Sequence, residues 1–244
     1  MLFDLDDDAL LFRADVLADP RPLYDDLRRR APVWEIPGRA TFLVSDPSLV
    51  REAVGRTEDF SSNMVSMVHR GVHGTAAHFD ILPFRDPNNV LAVADPPDHT
   101  RHRRLLQASL SPAAVAGFEP AIRDLTVQRL EPILRARRGD AVTQLADVIP
   151  AATMCHVLGL PTGDADALLP LVLAVGALLD GMSDGEGMER GGTAALDLAT
   201  YALDHLTAQR ALPAGDRAPL LEAMAVGIDD QTVTEGEAVG MLMQ

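Results

Sequence analysis

Residues 95–104 read DPPDHTRHRR: a double proline, then two histidines and three arginines within six positions. Asp95 has the chemistry of a helix N-cap, and Pro96 suits a first helical position. Asp98, in the first turn, places negative charge where the helix dipole favours it. The stretch therefore predicts a helix over 96–110. His99 and Arg103 are four residues apart and share one face near its N-terminal end, while Arg101 and Arg104 point elsewhere. Two donors stacked at the positive end of a helix suit a carboxylate or a phosphate. A solvated, well-capped helix start accounts for the same residues.

Upstream, Leu10 to Leu17 reads as a short helix, and DPRPLYDDLRRR (19–30) as a firmer one. Asp19 is its cap, Leu23, Tyr24 and Leu27 its apolar face, and Arg28–Arg30 its dipole-complementing end. Val33–Ile36 and Ala40–Val44 form a predicted hairpin around Pro37-Gly38. SDPSLVREAVGRT (45–57) predicts a helix capped by Ser45 or Asp46, with Pro47 in its first turn. Residues 57–94 look irregular, and loops of that length are usually functional or mobile. Downstream, helices are expected over 112–117, 119–137, 142–158, 164–180, 189–211 and 217–227, with a last one from about Thr234 to Gln244. LDGMSDGEGMERGG (179–192) is the one flexible-looking break. There is no internal repeat and no clear domain boundary.

Composition narrows the function classes. The 244 residues are 47% hydrophobic, enough for a sizeable core, but only 4% aromatic, so that core is built from Leu, Val and Ala. A net charge of -15 repels phosphate backbones and argues against a nucleic-acid partner. All 21 basic residues are arginines, as expected from the coding bias of a GC-rich bacterial genome. One cysteine, Cys155, leaves no intramolecular disulfide and fits a reducing cytoplasm. The acidic N-terminus is no signal peptide. The longest apolar run, LLPLVLAVGALL (168–179), contains a proline and reads as too short for a bilayer. A soluble, cytoplasmic chain with no membrane partner is the expectation.

DPPDHTRHRRLLQASLSP (95–112) resembles the C-helix signature of bacterial cytochromes P450, D-P-P-E-H-T-R-x-R-R followed by an S/T-P step. Residues 19–62 are similar to that family's A helix, first hairpin and B helix. FEPAIRDLTVQRLEPIL (118–134) resembles its D helix, DVIPAATMCHVLGLP (147–161) its E helix, and TVTEGEAVGMLM (232–243) the start of its I helix. The likeness runs in order along nearly the whole chain. It implies a mainly α fold with a small β-hairpin or sheet, in which residues 1–244 are the N-terminal part of a single P450 domain, from the A helix to the early I helix. It also implies haem b as the cofactor of the full-length protein, with the propionates held by His99 and Arg103. The activity implied is that of a monooxygenase. It would oxidise a small hydrophobic substrate using O2 and electrons from a ferredoxin, its reductase or a similar donor.

The resemblance also sets expectations for what this chain does not carry. The acid-threonine motif, the E-x-x-R pair and the loop with the axial cysteine are expected beyond Gln244. No catalytic residue and no metal ligand is then expected within the chain, which by itself is not competent. Cys155 lies in a predicted helix interior and reads as a core thiol, with His156 on a polar face. His69, His73 and His78 cluster within HRGVHGTAAH, but glycines break their register and no cysteine is near, so metal binding is not favoured. By the resemblance, Val90, Leu91 and Ala92 run toward the haem, and Met241 and Gln244 share the substrate-facing side of the last helix. These five are candidate pocket residues, with ordinary packing as the alternative. A haem-free P450-like helper, such as a partner of a glycosyltransferase, is the competing functional class; an intact His99 and Arg103 pair favours the haem protein.

Overall fold

In a computed structural model the described residues are 2–71, 73–80, 89–183 and 185–244. The chain divides into two compact units. The first comprises residues 1–86 with 177–188; the second comprises 87–176 with 189–244.

The first unit begins with a 3-10 turn, Leu10–Phe12, and helix α1, Ala14–Ala18. Helix α2, Arg21–Arg30, has Pro20 rather than Asp19 at its cap, and the Asp19 carboxylate instead accepts from the backbone N–H and the guanidinium of Arg21. Leu23 and Leu27 are fully buried, as the apolar spacing predicts, whereas Tyr24 sits at the surface. Strands β1, Val33–Glu35, and β2, Phe42–Val44, pair antiparallel with Trp34 opposite Leu43. Asp46 caps α3, Pro47–Gly55, accepting from the N–H groups of Ser48 and Leu49.

Part of the stretch expected to be irregular is a second hairpin. Strand β3, Ser66–Arg70, pairs with β4, Ala76–Asp80, so that Val68 faces His78 and His69 faces Ala77. Gly71 and Gly74 close the turn through Gly71 N–H to Thr75 O and Gly74 N–H to Gly71 O, and Gly74 takes φ +80°. A short glycine-bearing connection between two runs is a hairpin signal. Mixed polarity on both strands conceals it. Gly181 supports β3 from the far end of the chain: its carbonyl accepts from Arg70 N–H. At φ +70°, with a Cβ that would lie 2.7 Å from Val68 O, only glycine fits there. The core joins Phe3, Leu10, Leu23, Leu27, Trp34, Ile36 and Ala76.

The second unit is helical: α4, Asp98–Leu106; α5, Pro112–Gly117; α6, Glu119–Ala136; α7, Val148–Leu158; α8, Ala165–Leu179; α9, Gly185–Arg210; α10, Pro219–Asp229; α11, Glu235–Met243. The ends of α8 and α9 that meet near residue 180 belong to the first unit. The helix expected over 142–158 is broken. Val142–Ala146 form a π turn ahead of α7, with Asp147 N–H reaching Val142 O. Pro150 has no N–H to give the Ala146 carbonyl four residues back, so the preceding turn rearranges. Helix α9 begins at Gly185, four residues earlier than expected; burial of Gly191 and Ala194 offsets the glycines' poor helix propensity. Its main core gathers Val90, Leu106, Leu206, Leu220, Leu221, Met224 and Met241. A smaller one holds Ala152, Cys155, Ala165 and Leu168.

The apolar run read as too short for a bilayer extends through the preceding 3-10 turn. Thr162–Leu179 is an 18-residue window of mean hydropathy 1.6, long and apolar enough by length and composition to cross one.

Candidate functional site

Helix α4 starts two residues later than its sequence suggests. A residue before proline is pushed out of the α region, so Pro96, preceding Pro97, cannot begin the helix. Pro97 takes the capping position without a side-chain cap, and Asp98 opens the first turn. Asp95 contributes its carbonyl, which accepts from His99 N–H at 3.0 Å.

The structure brings His99 and Arg103 to one face of α4. His99 is half-buried and Arg103 exposed. Neither side chain makes a hydrogen bond or an ion pair with another described residue. A guanidinium and an imidazole left uncommitted one turn apart are the donor set that two carboxylates require, and by that chemistry the residues present fit the propionates of a haem.

The rest of the basic cluster is spoken for. At about 100° per residue, His99 and Arg103 lie about 40° apart on the α4 wheel, and Arg101 with His102 is turned about 130° away. On that second face Arg101 donates to Glu237 at 2.6 and 3.2 Å, to Asp98 at 2.9 Å and, in addition, to the Thr232 carbonyl. His102, fully buried, shares the Glu237 carboxylate through Nε2 at 3.1 Å, and its Nδ1 has no partner among the described residues. Nε2 is assigned the proton because it faces a carboxylate acceptor.

Glu237 occupies the first turn of α11, where it completes a capping box. Thr234 Oγ1 accepts from Glu237 N–H at 3.1 Å, and Thr234 N–H donates to the carboxylate at 2.6 Å. Burial pushes that carboxyl up, but the hydrogen bonds from Arg101, Thr234 N–H and His102 outweigh it and hold the pKa at about 2. Glu237 and His102 are the residues that sequence reading passed over. The T-x-x-E spacing announces the cap; nothing local announces that the same carboxylate reaches a helix 135 residues away.

The five candidate pocket residues come together. Gln244 clamps the 3-10 turn Leu91–Val93 by accepting from Ala92 N–H at 3.2 Å and donating to Val90 O at 2.9 Å. Val90 and Met241 belong to one buried cluster, leaving Leu91, Ala92 and Gln244 to present surface. Leu91 holds φ +41°, uncommon for a leucine. Close approach of α11 is tight here, since a Cβ on Gly240 would lie 3.1 Å from Val90. Part of the stretch expected to run toward the haem, residues 84–88, lies outside the described residues. A cleft of about 520 Å³ lies elsewhere, along α5 and α6 between Val115, Ile122, Arg123 and Thr126, and includes none of these groups.

Two other sequence readings resolve simply. Cys155 is buried beside Ala152 and Ala165, and burial pushes its thiol up. His156 is exposed, edge-on to Phe118. His69 and His78 lie on the β3–β4 hairpin with separate partners, Arg70 O and Thr41 Oγ1, and no metal-binding group of three exists among the described residues.

Comparison with known proteins agrees with this architecture. No family model matches the chain. Cytochrome P450 144 of Mycobacterium tuberculosis is 30% identical over 206 residues, which is 83% of this chain and 46% of that protein. Cytochrome P450 130 of the same organism is 29% identical over 234 residues, 91% of this chain and 54% of that one. This chain belongs to the cytochrome P450 family. It spans about half the length of the curated P450 relatives that it matches. The crystal structure of CalO2 superimposes on it with TM-score 0.72 at 27% identity, covering 99% of this chain and 57% of that one. P450 membership brings haem as the cofactor expected of the full-length protein.

Proposed function

We propose that this chain supplies the propionate-binding face of a haem-thiolate monooxygenase, with His99 and Arg103 as the donors. The observation that carries the reading is their pairing on one face of α4 with no protein partner among the described residues, while Arg101 and His102 are consumed by Glu237. When bound, the haem supplies oxygen activation for inserting oxygen into a small hydrophobic substrate, with electrons from a ferredoxin or similar donor. The residues of this chain bind and orient. His99 and Arg103 offer hydrogen bonds and charge to two carboxylates, and α4 adds the positive end of its dipole. Leu91, Ala92 and Gln244 form the apolar and amide surface proposed to meet the substrate. No axial ligand is proposed in this chain, because Cys155 is enclosed in α7. We further propose that both compact units belong to one P450 domain.

The test uses free-base protoporphyrin IX and its dimethyl ester, which differ only in the two carboxylates. The chain is expected to bind the diacid in preference to the diester, and the H99A/R103A double variant to lose that preference. Charge-assisted hydrogen bonds of about 1.5–3 kcal/mol each set the expected loss at tenfold or more. A double variant that keeps the preference removes the assignment. The competing reading, a haem-free helper, gains no observation from the structure.

A further inference from the structure

Glu237 is hydrogen-bonded to Arg101 and His102, on the face of α4 turned away from His99 and Arg103. We propose that Glu237 is a positioning residue: by gripping Arg101 and His102 on one face of α4, it sets the rotation at which His99 and Arg103 meet their anionic ligand. The inference rests on the propionate reading and deepens it.

The geometry supplies three arguments. First, Arg101 and His102 are adjacent on the helix but about 100° apart around it, so a carboxylate that holds both blocks rotation in either direction. A single contact would oppose rotation in one direction only. Secondly, Glu237 is itself anchored. Its carboxylate also accepts from Thr234 N–H, and its own N–H donates to Thr234 Oγ1, so the grip is referred to the rigid start of α11. Thirdly, the contact is partly shielded from water, with the Arg101 side chain 33% exposed. His102 is fully buried, and the side chain of Glu237 is 11% exposed. An ionic contact that is partly desolvated keeps its strength in salt better than a surface pair. Packing acts beside this grip: Leu106 of α4 is buried in the main core, and Leu105 lies close over Gly227 of α10. Arg101, His102 and the Thr234 N–H face the Glu237 carboxylate, and Asp98 shares Arg101 from the far side.

A merely structural contact and a positioning contact differ in what their loss does to the two porphyrins. Loss of fold weakens diacid and diester alike, because both bury the same macrocycle. Loss of rotation weakens only the diacid, because only its carboxylates require aligned donors. E237Q is the first variant, since glutamine retains an acceptor for the Thr234 N–H and so keeps the cap. R101Q is the second; it keeps the Thr234–Glu237 capping box of α11 and guards against an E237Q chain that does not fold. Both are checked by far-UV circular dichroism and titrated with protoporphyrin IX and its dimethyl ester by fluorescence quenching. Each is expected to lower diacid affinity about tenfold, the scale of one charge-assisted hydrogen bond, with diester affinity unchanged. Equal losses for both porphyrins, or no loss for either, overturn the positioning role. A wild-type chain that does not prefer the diacid overturns the propionate reading first and this inference with it. That outcome is seen before any variant is made, so the two failures are distinguishable.

Discussion

Replacing Glu237 by glutamine changes how stability responds to acid, and the size of the change follows from the site. The carboxyl is held at about 2 against an ordinary value of 4.5. A folded-state pKa below the unfolded one means that the ionised form stabilises the fold. That contribution is complete above the unfolded pKa and is lost as pH falls toward the folded one. At about 1.4 kcal/mol per unit, the depression corresponds to about 3 kcal/mol in all. Linkage distributes it unevenly: about 1 kcal/mol is gone by pH 4 and about 2 kcal/mol by pH 3. Glutamine at 237 does not titrate, so the variant lacks this component, while every other acidic group is common to both chains. Urea unfolding of wild type and E237Q at pH 7, 5, 4 and 3 isolates it as the difference between the two curves. The wild-type advantage is expected to be constant from pH 7 to about 6, and then to shrink by about 1 kcal/mol at pH 4. Parallel pH dependences would refute the claim that Arg101, His102 and Thr234 together hold the carboxylate ionised.

Two glycines test the helix architecture in opposite directions. Gly159 ends α7 at φ +73°, and an added Cβ would lie 2.2 Å from that of Ala218, so G159A is expected to destabilise by more than about 1 kcal/mol in urea unfolding. Gly176 sits within α8 with nothing within 4 Å of its Cβ position, so G176A is expected to stabilise by about 0.5–1 kcal/mol in the same assay. The Cys155 thiol, buried in α7 and pushed up by that burial, is expected to react with a disulfide reagent only after unfolding. Stoichiometric labelling of the native chain would show that α7 opens. A reduced-CO spectrum of the haem-loaded chain is expected to lack the red-shifted band of thiolate ligation, and its appearance would return Cys155 to consideration as a ligand.

Much of this protein is determined by neighbours in sequence. The alternation around Pro37-Gly38 places the β1–β2 hairpin; Asp46 and Pro47 start α3; Thr234 and Glu237 start α11. The four-residue spacing of His99 and Arg103 puts them on one face whatever else surrounds α4. These are short-range rules of backbone geometry and hydrogen bonding, and they hold before the chain folds. They fail where a neighbouring rule competes: the Pro96-Pro97 pair delays α4, Pro150 breaks the helix ahead of α7, mixed polarity hides the β3–β4 hairpin, and glycines hide the start of α9. What only the tertiary structure decides is which charges are spent. The sequence separates Arg101 from Arg103 by face but names no partner for either, and Glu237 is one acid among 36. Packing α11 against α4 buries Glu237 beside Arg101 and His102 and leaves Arg103 uncommitted. The energy of a buried carboxylate depends on donors that arrive from 135 and 136 residues away, and no local pattern encodes that arrival.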